Sequence, residues 1–158
     1  MNKFFIILAL IPTLTFAAPC LDLNGTWEGS CDRDGRVKEE SISIKQNGCN
    51  HINFYGIDYK IGMPYEQRGE TWYENLINIY NLYWGEDDQS LVFNVDRIRW
   101  MKHKNIVSSG EGLGVIRVNG NHMSYVRSYS SRSRQGVYTK NVRKCNFSRV
   151  MDSVSVDK

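Results

Sequence analysis

The chain has 158 residues, 41% of them hydrophobic, with 20 Lys and Arg against 17 Asp and Glu and a formal net charge of +3. That length suits one domain built on a single core, and so small a charge excess argues against a nucleic-acid partner. Thirteen glycines, nine tyrosines and three prolines favour strands and turns over helices.

Residues 1–17 have the layout of a cleaved secretory signal: Lys3, an apolar run over 4–14, then Thr15-Phe16-Ala17 as a small-residue cleavage site. The run is shorter than the roughly 18 to 20 residues that cross a bilayer, so no transmembrane segment is expected and the protein reads as exported, periplasmic or secreted. Lipid attachment at Cys20 is the competing use of that junction, with Pro19 standing where such processing wants a small flexible residue. The expected domain is 18–151, followed by a polar, frayed tail over 152–158.

Cys20, Cys31, Cys49 and Cys145 form an even set in an exported chain, which implies two disulfides. A zinc site would need close pairs of the Cys-x-x-Cys kind. These spacings are far wider, so no metal and no cofactor is expected.

In chain order, residues 23–31 read as the first strand, with Trp27 as its core anchor. Asp34-Gly35 is a two-residue hairpin signal, and Ile42 and Ile44 alternate with polar neighbours along the next strand. A turn at Asp34-Gly35 sets Arg33 opposite Arg36, Trp27 opposite Ile42 and Cys20 opposite Cys49, which collects the apolar residues of both strands on one face. Asn47-Gly48 is a further turn, with short strands around 51–55 and 58–61 and a loop over 62–69 where glycine and proline interrupt the pattern. Residues 71–84 fit both helical and strand spacing, and their asparagines and aromatics favour strand. Residues 90–101 continue as strand, 108–112 read as a loop, 115–118 and 122–129 as a hairpin on Asn119-Gly120, 130–134 as a polar loop, and 136–140 and 142–150 as closing strands.

This pattern predicts an all-β, disulfide-stapled, antiparallel up-and-down barrel of about eight strands. Closure requires the last strand to pair with the first. Setting Cys31 opposite Cys145 does this and brings Arg149 opposite Trp27. The preferred pairing is therefore Cys20–Cys49 with Cys31–Cys145; Cys20–Cys145 with Cys31–Cys49 remains the rival, because a disulfide directly across adjacent strands is geometrically tight.

Gly25-Thr26-Trp27 on the first strand, with Arg149 on the closing strand able to stack over the indole, resembles the signature of the lipocalins and their calycin relatives. The resemblance implies an up-and-down barrel whose mouth holds a small, mostly apolar ligand and whose closed end is plugged by the Trp–Arg pair, so that Trp27 and Arg149 are structural. A guanidinium lying on an indole is worth about 1 kcal/mol or more.

No catalytic pattern stands out. His51, His103 and His122 are isolated, Glu39-Glu40 and Asp87-Asp88 lie beside turns, and the chain has no Gly-x-Ser-x-Gly elbow, phosphate-cradling glycine loop or His-Glu-x-x-His. The expectation is a non-enzyme. Two readings follow. The first is a barrel binding a small apolar or amphipathic ligand in a mouth lined by Trp72, Tyr80, Trp84, Phe93 and Trp100. The second is an interaction or inhibitor module that meets an anionic surface or a protein partner through a basic patch of Arg127, Arg132, Arg134, Arg143 and Lys144, interleaved with Tyr125, Tyr129 and Tyr138.

Overall fold

The computed structural model describes residues 20–86, 89–102, 106–133, 136 and 138–151, with Ile106 and Ser133 as backbone only. The expected signal, the tail, Arg134, His103 and Asp87-Asp88 lie outside the described residues.

Among the described residues ten antiparallel strands follow one another: β1 (Gly25–Arg33), β2 (Arg36–Asn47), β3 (His51–Phe54), β4 (Ile57–Lys60), β5 (Pro64–Glu70), β6 (Glu74–Trp84), β7 (Ser90–Met101), β8 (Ile106–Asn119), β9 (His122–Ser133) and β10 (Tyr138–Arg149). Their spatial order is β4-β3-β2-β1-β10-β9-β8-β7-β6-β5, a meander whose first and last strands lie side by side. The expected registers hold: Trp27 pairs with Ile42 and Arg33 with Arg36, while Cys31 pairs with Cys145 and Trp27 with Arg149. Both preferred disulfides are present, Cys20–Cys49 and Cys31–Cys145, with Cα separations of 5.6 and 4.0 Å.

The turn chemistry explains why the chain folds back where it does. Asp34 and Gly35 both have positive φ, 53° and 83°, as a type I′ hairpin turn requires. Tyr55 and Gly56 repeat that geometry between β3 and β4. In the β8–β9 hairpin Asn119 pairs with His122, so the turn is Gly120-Asn121, one residue later than expected. Gly120 alone supplies the positive φ there, 59°, as the first position of a type II′ turn demands.

Four expected breaks are strand instead. The supposed loop over 62–69 contains β5, whose Pro64 is tolerated because it opens an edge strand. The stretch 108–112 is the middle of β8, 130–133 extends β9, and the two closing strands are one, β10. The described residues form ten strands, where about eight were expected.

The barrel is nearly closed. The gap between β4 and β5 is bridged at one end, where the Gly62 N–H donates to the Leu82 carbonyl at 2.7 Å and the Trp84 indole donates to the Cys49 carbonyl at 2.9 Å. Tyr59 packs edge-on against Tyr65 and Tyr80 across the same seam, at 5.3 and 5.8 Å between ring centroids.

Trp27 is fully buried, and its indole N–H donates to the Leu23 carbonyl at 3.0 Å. Above it lies the Arg149 guanidinium, 4.6 Å from the ring centroid, which donates to the Asp22 carbonyl at 2.9 Å and to its carboxylate at 3.1 Å. Leu23, Ile42, Ile44, Ile52, Leu91, Ile116, Met123 and Phe147 complete the apolar core around this plug.

Candidate functional site

Strand alternation sends every second residue into the barrel, and along the axis the inward residues change character. Near Trp27 they are aliphatic and aromatic, and the space is filled. The Phe93 ring lies so close to Gly114 that an added Cβ would fall 2.0 Å from it, while Phe93, Tyr125 and Phe54 pack with centroids 5.6 to 6.5 Å apart. Towards the far end the inward positions become Arg33, Arg36, Lys38 and Glu40 on β1 and β2, Arg97 on β7, Arg127 and Tyr129 on β9, and Asn141 and Arg143 on β10.

A cavity of about 310 Å3 lies here, lined by Arg33, Arg97, Arg127, Tyr129, Asn141, Val142 and Arg143. It adjoins a second of about 560 Å3, lined by Cys31, Arg33, Asp34, Arg36, Lys38, Glu40 and Arg143. Arg33 and Arg143 belong to both walls.

Each inward arginine is held differently. Arg97 lies over the Tyr129 ring, 5.1 Å from its centroid, and donates from Nε to Asn78 Oδ1 at 2.7 Å. Asn78 is itself buried. Arg143 is paired with Glu40, reaches the Tyr55 hydroxyl at 3.4 Å and sits 5.6 Å from the Tyr125 ring centroid. Arg127 is half-buried, and its buried Nε has no hydrogen-bond partner among the described residues. Burial pushes the Tyr125 phenol up, against the opposing pull of the Arg127 and Arg143 guanidiniums beside it. Neither Arg97 nor Arg127 has a carboxylate partner among the described residues.

The five aromatics expected to line a mouth are divided: Tyr80, Trp84 and Phe93 pack on one core, and Trp72 and Trp100 stand apart from it. Trp72 is 78% exposed between β5 and β6, and Trp100 lies on the outward-facing side of β7, opposite Asn75 and Val107. Tyr80 belongs to the β4–β5 seam, Trp84 is tied to Cys49, and Phe93 is sealed in the core. The expected basic patch is likewise divided by the pleat. Arg127 and Arg143 point inward, whereas Arg132 and Lys144 are exposed on the exterior. In their place the fold adds Arg33, Arg36 and Arg97.

Among the described residues no group of His, Cys, Asp and Glu could hold a metal ion, and no helix is long and apolar enough to cross a membrane. The chain matches no protein-family model, no curated protein and no solved structure.

Proposed function

We propose that the protein is an exported, non-catalytic barrel that binds a small anionic ligand in its arginine-bearing lumen. The observation that carries this reading is the pair Arg97 and Arg127, directed into a cavity where, among the described residues, no carboxylate pairs with them. Drawing a guanidinium out of water without a counter-charge is costly. An oxyanion entering between them repays that cost through charge-assisted and bidentate hydrogen bonds.

The lipocalin-like plug at the other end supports a barrel whose single working mouth is this one. An apolar ligand fits less well, because the apolar half of the interior is occupied by its own side chains. Export agrees with two disulfides, which persist in oxidising compartments.

Native mass spectrometry of protein purified from its own compartment tests the reading. The expected result is a retained small acidic molecule that is lost from an Arg97→Gln, Arg127→Gln double variant. A molecule retained equally by that variant, or a stoichiometric protein partner with no small molecule, would contradict it.

A further inference from the structure

Resting on that reading of the lumen, we infer that the ligand is a compact polyanion, with at least two separate oxyanion groups, lying across four adjacent strands on a ladder of arginines. The β9–β10 register sets Arg127 opposite Arg143, the β10–β1 register sets Arg143 opposite Arg33, and the β1–β2 register sets Arg33 opposite Arg36. All four lie on the inward face of their strands. Neighbouring strands are about 4.8 Å apart, so the ladder extends roughly 14 Å.

Directly opposed like charges destabilise a sheet. Of the four arginines only Arg143 is compensated, by Glu40; Arg127, Arg33 and Arg36 have no carboxylate partner among the described residues, which is the arrangement that a ligand with several negative groups requires. Arg97 and Lys38 add to the walls, giving six cations against two carboxylates, Asp34 and Glu40. Both carboxylates are already engaged. Asp34 accepts the Val142 N–H at 3.2 Å and Glu40 accepts from Arg143.

One phosphate or carboxylate would satisfy one or two rungs and leave the others repelling. A long alkyl tail would have nowhere to go, since Phe93 and Tyr125 close the floor beyond Arg127. The chemistry that fits is a short scaffold bearing several oxyanions, either phosphoryl groups or carboxylates.

Calorimetric titration at an ionic strength of about 0.1 M, where longer-range attraction is screened, decides this with tripolyphosphate, citrate, orthophosphate and octanoate as probes. Tripolyphosphate or citrate, whichever scaffold chemistry is right, is expected to bind at least about tenfold more tightly than orthophosphate or octanoate. Arg33→Gln, at an exposed rung, is expected to reduce that affinity about tenfold. Lys144→Gln, which removes a charge from the outside of β10, is expected to leave it unchanged. Orthophosphate or octanoate binding as tightly as the polyanions would overturn the polyanion inference while leaving an anion site in place. No binding of any probe would overturn both, and equal losses in the Arg33 and Lys144 variants would place the attraction outside the lumen and overturn the ladder.

Discussion

Arg149 meets three groups on two residues through one guanidinium: the Trp27 ring, the Asp22 carboxylate and the Asp22 carbonyl. Replacing it with Met keeps much of the aliphatic stem but removes the charge and both hydrogen bonds, and urea unfolding is expected to report a loss of about 2 kcal/mol. Burial alone would raise the Asp22 carboxyl, but the Asn24 backbone N–H and Arg149 outweigh it and hold the carboxyl below its ordinary value. A depressed folded-state pKa means that the carboxylate's contribution is present above the unfolded value and lost as pH falls through the folded one. Asp22→Asn is therefore expected to lose less stability than the wild type between about pH 5 and about pH 3, as followed by chemical denaturation. Gly114 is constrained by space: Gly114→Ala drives a methyl group into the Phe93 ring, and its expected cost in thermal or urea unfolding is about 1 to 3 kcal/mol.

Among the elements, the β1–β10 seam joins the two ends of the sheet meander, and Cys31–Cys145 spans it with a sequence separation of 114, against 29 for Cys20–Cys49. On the chain-entropy account these bridges restrain the unfolded chain by about 5 and about 4 kcal/mol respectively. Paired Cys→Ala replacement of Cys31 and Cys145 is thus expected to lower the denaturation midpoint more than replacement of Cys20 and Cys49. The seam and its register were legible from the chain itself, because Asp34-Gly35 sets the first hairpin and the cysteines set the last. β8 was not. Gly110 and Gly112 read locally as loop residues, yet they, with Gly114, are needed in the strand to receive the rings of Tyr129 and Phe93, and those rings arrive from neighbouring strands that no local pattern specifies. β5 was hidden in the same way by Pro64, whose missing N–H matters little at the start of an edge strand. The arginine ladder was half visible. The hairpin register already opposed Arg33 to Arg36, and continuing the closing register two residues beyond Cys145 would have added Arg143. What concealed it was reading Arg127 to Lys144 as one surface, when the two-residue period of a strand sends alternate side chains to opposite faces.

For the molecule as a whole, a formal charge of +3 conceals a strongly uneven distribution. Cations converge inside one end of the barrel while the other end is sealed by an indole and a guanidinium. The fold thus separates a stabilising half, where the apolar side chains fill the interior, from a half whose inward arginines have too few counter-charges of their own. The division of the expected mouth was not legible, because the strand spacing of Trp72, Tyr80, Trp84, Phe93 and Trp100 does not reveal which of them share an interior once ten strands have curled. The most direct test of the anionic-ligand account is backbone-amide NMR of the wild-type protein during titration with citrate. The account predicts chemical-shift changes concentrated at Arg33, Arg97, Arg127, Tyr129 and Arg143, with the amides around Trp27 undisturbed; changes centred instead on the exterior around Arg132 and Lys144, or around Trp72 and Trp100, would contradict it.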